Sequence, residues 1–356
     1  MADIYCDNTN GNDTTGTGAA GTPYKTLQKC VDNAAADDTI WIGDTSAQVL
    51  AAAITWNTGF GGSTSKASPI KIRGWDYSGG AGVAGVFEID GNSAVATWDT
   101  STSRPTFVLY DGWIHDTTSD GIFVGFTGAV INMEVSSTGG RGIMGGTQYT
   151  MVLGCYIHDT GGDGIQLNSQ TLVMHNIIEN ATTRYLDSQG LGSYIINNLI
   201  IGGANSASGD FGIFIVGDST HIIGNTLVGN SNNGTGIKGG TTEEWHNCYN
   251  NIVTGFATGI ADGGGGFLAY GHNQFYDNTT ADETLTGKIH TNLGNNSTAD
   301  PAFVGSGDYT PTAFIDGWPV TLGSTTTENK IGAVQEAGGA AGGGLMEPGS
   351  MTGGMV

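Results

Sequence analysis

GWIHDTTSDGIFV at residues 112–124 and CYIHDTGGDGIQL at residues 155–167 share IHDT, a two-residue gap and DGI. Taking Ile114 as the anchor of the first copy, the matching apolar position recurs at Val135, Ile157, Ile178, Ile200, Leu227, Val253 and Phe275, in steps of 21, 22, 21, 22, 27, 26 and 22 residues. A second marker keeps pace with the first. Gly-Ile pairs stand at 121–122, 142–143, 164–165, 212–213, 236–237 and 259–260, and Ile122, Ile143 and Ile165 each fall eight residues after their anchor. A fixed period of this length is the mark of a solenoid.

The content of each period decides which solenoid. Short β-branched runs such as NNLII and FGIFIV are broken by Gly, Asn, Asp and Ser clusters, with no helical pattern between them. One short strand and its corner cannot bury an apolar face alone, and stacking on the next copy does so. The expected fold is all-β, a single-stranded right-handed parallel β-helix with coils about 4.8 Å apart. The residue two before each anchor supports this: Asn176, Asn198, Asn225, Asn251 and Asn273 follow one another in the later coils. Stacked amides hydrogen-bond along a column, and Asn tolerates the left-handed backbone of a corner. The longer steps place insertions at GGANSASGD and SNNGTG, expected as loops on one corner.

An open stack must close its ends. In TPYKTLQKCVDNAAA at 22–36, Thr22 is the expected N-cap and Pro23 the first helical residue, with Leu27, Cys30, Val31 and Ala34 on one face. The organisation read from the chain is an N-terminal cap with this short helix over 1–45, irregular first coils over 46–106, and regular coils over 107–290. A C-terminal cap over 291–335 and a Gly- and Met-rich tail over 336–356 follow. The tail cannot form a core of its own. Leu345, Met346, Met351 and Met355 are read as side chains that dock into another protein of an assembly.

The 356 residues carry 11 Lys and Arg against 33 Asp and Glu, a net charge of −22 that disfavours nucleic acid and anionic membranes as partners. No apolar run is long enough for membrane insertion, and the start has no basic segment leading into an apolar one, so no secretory signal is expected. Cys6, Cys30, Cys155 and Cys248 lack metal-site spacing and are expected as buried thiols, with Cys6 and Cys30 the one pair worth testing for a bridge.

The opening and closing segments carry a resemblance. IYCDNTNGNDTTGTGAAGTPYKTLQKCVDNA followed by DDTIWIGD, and later ADPAFV, GDYTP, AFIDG and KIGAVQ, resemble the ends of right-handed parallel β-helix proteins of the pectate-lyase-like superfamily. Pectate-lyase-like enzymes, bacterial surface proteins and phage virion proteins share that fold. The shortened repeats and the Gly- and Met-rich tail are most similar to phage structural proteins, decoration or tailspike in type. The resemblance implies a virion particle protein, a homo-oligomer with trimers favoured, anchored through its tail and touching host glycans. The alternative reading is a tailspike-type polysaccharide lyase or glycoside hydrolase, and the second alternative a surface adhesin without catalysis.

Register gives the repeated motif a candidate site. The residues after the anchors form a column of His115, Ser136, His158 and Glu179, and the next column holds Asp116, Ser137, Asp159 and Asn180. Ahead of the Gly-Ile pairs stand Asp120, Arg141 and Asp163. Two coils separate the two aspartates by roughly 9.5 Å, near the upper end of the carboxylate spacing of inverting glycosidases. Asp120, Arg141 and Asp163 are therefore the catalytic candidates, with Arg141 suited to an anionic sugar. No catalytic motif of the family is matched residue by residue. His115, His158 and Glu179 are candidates for carbohydrate binding, and Asp116 and Asp159 offer the hard oxygen ligands that calcium takes. No other cofactor is implied. A scaffold reading accounts for the same residues: Asp and His satisfy corner backbone groups, and an Asp-Arg-Asp column relieves like-charge repulsion.

Three further features complete the reading. DNTNGND at 7–13 lacks the acidic positions of a calcium loop and is expected as a turn. Trp41, Trp56, Trp75, Trp98 and Trp113 gather in the first third, as rings stacked within early coils or as a sugar platform. His175, His221, His246, His272 and His290 show no convergent spacing.

Overall fold

A computed structural model of the chain describes residues 1–54, 69–92, 98–99, 106–125, 127–146, 149–168, 170–203, 211–230, 234–240, 245–263, 266–285, 291–305, 308–311, 321–322 and 325–326. It is an all-β solenoid. Among the described residues, strands stack into one sheet of 21, parallel except where Ala84–Gly85 runs antiparallel to Ile70–Trp75, and a second, parallel sheet of nine. Each regular coil gives two segments to the first sheet and one to the second, as in Thr150–Leu153, Tyr156–Thr160 and Ile165–Leu167. In the two coils before it the first two segments run together, as Phe107–His115 and Gly128–Thr138.

The register is the one the anchors imply. Ile114 pairs with Val135, Val135 with Ile157, and the chain of pairs continues through Ile178, Ile200, Leu227 and Val253 to Phe275. The second marker pairs Ile122, Ile143, Ile165, Leu186, Ile213, Ile237 and Ile260 in the other sheet. All of these side chains belong to one buried core that runs the length of the stack.

The two markers keep step because they touch. A Cβ built on Gly142 would lie 2.5 Å from Ile157, the anchor of the next coil, and one on Gly164 would lie 2.5 Å from Ile178. Gly121, Gly212, Gly236 and Gly259 meet Val135, Leu227, Val253 and Phe275 in the same way, at 2.2 to 2.8 Å. Gly stands before each Ile because the next anchor occupies the space a side chain would need. The coil of Ile178, which lacks a Gly-Ile pair, holds Tyr185 there. That ring is fully buried, and its hydroxyl accepts a hydrogen bond from the Gly203 N–H at 2.7 Å.

The asparagine column forms an amide ladder. The Nδ2 of Asn176, Asn198, Asn225 and Asn251 each donates to the Oδ1 of the next Asn at 2.9 to 3.0 Å. Each Oδ1 also accepts the backbone N–H of the Asn below, and Asn176 accepts that of Cys155. The left-handed backbone, by contrast, lies one residue earlier. Asn132, Gly154, His175, Asn197, Gly224, Asn250 and His272 have φ between 51° and 67°. The ladder residues cannot also take that conformation, since their side chains must point inward along the stack.

The capping helix is Leu27–Asn33, shorter than expected, and its N-cap is Thr26 instead of Thr22. Residues 22–24 are held elsewhere: Tyr24 N–H bonds Tyr5 O at 2.9 Å and Asp7 N–H bonds Tyr24 O at 2.8 Å. Thr26 Oγ1 accepts from Lys29 N–H, while Asp13 accepts from the N–H groups of Lys25 and Thr26. Leu27, Cys30 and Val31 are buried, as expected, and Ala34 packs against the core. The segment DNTNGND is a turn in which Asp7 Oδ1 accepts the N–H groups of Thr9 and Asn10.

All four cysteines are free and buried. Burial pushes the Cys155 thiol up to about 12, and Cys30 is likewise raised by burial and by the neighbouring Cys6 thiol. Trp41 and Trp75 form a small cluster with Tyr5 apart from the main core. Trp56, His290, residues 204–210 and 231–233 of the two insertions, AFIDG, KIGAVQ and the tail with Leu345, Met346, Met351 and Met355 lie outside the described residues. Among those described, no helix is long and apolar enough to cross a membrane.

Candidate functional site

The corner between the second and third segments explains part of the IHDT motif. Asp116, Ser137, Asp159 and Asn180 all have φ between 50° and 53°, the left-handed conformation that Asp and Asn tolerate best among residues with a side chain. The threonine that follows turns back onto the corner. Thr117, Thr138 and Thr160 donate to the carbonyls of Ser119, Gly140 and Gly162 at 2.8, 3.0 and 3.2 Å.

The histidine before each Asp points away from the core on the first sheet, His115 buried among its neighbours and His158 partly exposed. His115 lies across from Asp90, and His158 across from Ser136 on one side and Glu179 on the other. Each imidazole stacks on the aromatic ring two residues earlier, His115 on Trp113 with centroids 3.9 Å apart and His158 on Tyr156 at 4.3 Å. Each is also held between two carboxylates. His115 Nδ1 lies 3.0 Å from Asp116 and Nε2 3.0 Å from Glu88. His158 Nδ1 lies 2.8 Å from Asp159 and Nε2 3.2 Å from Glu134.

Electrostatics within this face follow from those contacts. The hydrogen bonds from His158 and then Asn180 hold the Asp159 carboxyl below its ordinary range. Burial, with the Glu179 carboxylate behind it, raises Tyr156 to about 12. Trp113 Nε1 donates to Ser136 Oγ at 2.9 Å. Glu88, Trp113, Glu134 and Tyr156 thus alternate up one column, with acid and imidazole groups in the column beside it.

The three catalytic candidates sit at the next corner, and contacts divide them. Arg141 Nε and Nη2 bond the two Asp120 oxygens at 2.9 Å each, and Asp120 Oδ1 also accepts the Arg141 backbone N–H at 2.9 Å. Its Nη1 donates to Gln166. Asp163 instead accepts from the Thr183 hydroxyl and, at 3.1 Å, from the Arg184 N–H. Burial raises its pKa, and the nearby Asp187 charge adds to the rise.

Arg184 is the fourth member of this column, and sequence reading missed it. The Gly-Ile marker that locates the column is replaced by Tyr185 and Leu186 in that coil. Its guanidinium lies 4.3 Å from the Phe214 ring centroid and donates to Asp187 at 2.5 Å. Asp187 is fully buried, and its Oδ2 also accepts from Gln166 and Gln189 at 2.9 and 2.7 Å. Both guanidiniums therefore point into protein partners. Glu88 and Asp90 were missed for a similar reason: they belong to the irregular early coils, whose spacing does not reveal that they face His115.

No family model and no curated protein matches the chain. Among solved structures it is similar to the pectate lyase Pel9A, with 14% identity over 94% of this chain and 96% of that one and a TM-score of 0.47. An alginate lyase from Paenibacillus sp. shows 16% identity over 84% and 98%, with a TM-score of 0.45. A lacto-N-biosidase from Eubacterium ramulus shows 11% identity over 84% and 68%, also with a TM-score of 0.45. These neighbours are polysaccharide lyases and a glycoside hydrolase built on β-helices, and at such scores they assign no residue a role.

Proposed function

We propose that the protein binds carbohydrate on the outward face built from Trp113, His115, Glu134, Tyr156, His158 and Glu179. The observation that carries the reading is the repeated pair of ring and imidazole, Trp113 with His115 and Tyr156 with His158, flanked by carboxylates in register. Half-buried aromatic rings offer an apolar platform to the C–H faces of a sugar, and carboxylates and imidazoles bond its hydroxyls. The rings are already positioned by strands of a rigid stack, so little ordering accompanies binding. The face is acidic and the chain carries a net charge of −22, which favours neutral or amino sugars over uronates. Arg141, the cation that would have served a uronate, is engaged by Asp120 and Gln166.

Calorimetric titration with neutral, amino-sugar and uronate oligosaccharides tests this. W113A and Y156A should each weaken a neutral ligand by about three- to tenfold. Binding unchanged from the parent chain in both variants, or a preference for uronates, would overturn it.

A cleavage reading draws on one observation, the Asp163 carboxyl raised by burial, as a general acid requires. Release of oligosaccharide from the same panel, abolished by D163N, would establish it. Release that persists in D163N, or none at all, removes Asp163 from the chemistry. The place of the protein in a virion as a spike or decoration rests on the resemblance and on the composition of residues 336–356. Incorporation of a chain truncated after Gln335 into particles tests that place, and undiminished incorporation would count against an anchoring tail. Calcium at Asp116 and Asp159 is not favoured, because an imidazole nitrogen faces each carboxylate and calcium takes six to eight oxygens.

A further inference from the structure

The two histidine clusters are built alike but are not equal. In each, an aromatic ring backs the imidazole, a left-handed Asp meets Nδ1, and a Glu from the coil below meets Nε2. The difference lies across the strand pair: Asp90 stands opposite His115, whereas Ser136 stands opposite His158. In the first cluster alone, Asp90, His115 and Asp116 offer ligand atoms that all lie within 4.8 Å of one another.

The chemistry at His115 is that of a cation site. A neutral imidazole has one N–H and one lone pair. If Glu88 accepts the Nε2 proton, the Nδ1 lone pair faces an Asp116 oxygen at 3.0 Å, an arrangement that is repulsive unless a cation lies between them. Asp90 stands opposite the imidazole as a further carboxylate, and no Lys or Arg salt bridge reaches Glu88, Asp90 or Asp116 among the described residues. A divalent ion satisfies all three donors at once, with Glu88 orienting the imidazole from behind, as carboxylates do for metal-bound histidines.

We propose that Asp90, His115 and Asp116 form a binding site for a first-row divalent transition ion of the zinc class. An imidazole with two carboxylates suits zinc, cobalt or manganese, whereas calcium takes six to eight oxygens. Three protein ligands leave a position for water or a ligand hydroxyl. The site shares its face with the proposed carbohydrate surface but is measured without any sugar, so either reading can fail alone.

The test is Co²⁺ titration of the full chain after chelator dialysis, followed by visible absorption and calorimetry. The expected result is one saturable equivalent with a ligand-field band, undisturbed by equimolar Ca²⁺. D90N and H115Q should weaken it at least about tenfold, and H158Q should leave it unchanged. Asp90→Asn keeps a carbonyl oxygen for the Asn92 N–H that Asp90 now accepts at 2.6 Å, so the turn is preserved. S136D, which supplies the missing carboxylate beside His158 and retains an acceptor for Trp113 Nε1, should raise the count to two equivalents. No saturable binding, unchanged binding in D90N and H115Q, loss on H158Q, displacement by Ca²⁺ or a single equivalent in S136D would each overturn the proposal.

Discussion

Replacing Asn225 by Ala removes the middle rung of the amide ladder. Its Oδ1 is the acceptor for the buried Asn198 N–H and for Asn198 Nδ2, both at 2.9 Å, and its Nδ2 donates to Ile195 O and Asn251 Oδ1 at 3.0 Å. Asn198 Nδ2 keeps Val173 O, and Asn251 Oδ1 keeps the backbone N–H of residue 225, but the Asn198 N–H loses its acceptor in a place water does not reach. One orphaned buried donor costs about 1–3 kcal/mol, and the void left by the amide adds about 1–2 kcal/mol. The expected loss is therefore about 2–5 kcal/mol. Asn296 gives the contrast. It caps the ladder by accepting the Asn273 N–H at 3.0 Å from a partly exposed position, so water can replace it and N296A should lose under about 1 kcal/mol. Because a stack can unfold in part, urea denaturation is best combined with hydrogen exchange at the Asn198 amide. Asn225→Ala should collapse protection at that amide more than at strands two coils away. A loss under about 0.5 kcal/mol, or a larger loss in N296A than in N225A, would refute the ladder as a source of stability.

Gly142→Ala should destabilise by about 2 kcal/mol or more, since its Cβ would lie 2.5 Å from Ile157 and 2.7 Å from Gly164 O. A thermal melt checks this, and an unchanged midpoint would mean that the two markers do not touch. His246 carries a pH dependence. Burial lowers its pKa to about 4, against 6.5 for the ordinary group. Between those values the unfolded chain takes up a proton that the folded chain refuses, so stability should fall as pH drops from about 6.5 to 4, by up to about 3 kcal/mol. Above that window the contribution is constant. The carboxylates common to both chains cancel in a comparison with H246Q, whose profile should be flatter across that window. Parallel profiles would contradict a buried neutral imidazole.

Periodicity made the regular coils legible because inward side chains in a stack repeat at the coil length. The same spacing located Asp120, Arg141 and Asp163 in one column and the two His-Asp corners in another. It could not show direction. Arg141 turns toward Asp120 and Gln166, and Asp163 toward Thr183 and Arg184, choices made by side-chain rotamers and local hydrogen bonds. It also failed wherever the period breaks: Tyr185 hid Arg184, and the irregular early coils hid Glu88 and Asp90. Thr22 and Pro23 satisfy local rules for a helix start, but pairing of residues 22–24 with the first strand and its loop overrides them.

The most direct test of a carbohydrate face is a hydrogen-exchange footprint of the chain with a saturating neutral oligosaccharide. Protection should concentrate in strands Phe107–His115, Gly128–Thr138 and Tyr156–Thr160, around Trp113, Glu134 and Tyr156, and vanish in a W113A and Y156A double variant. Protection confined to the second sheet around Arg141 and Asp187, or unchanged by the double substitution, would contradict the account.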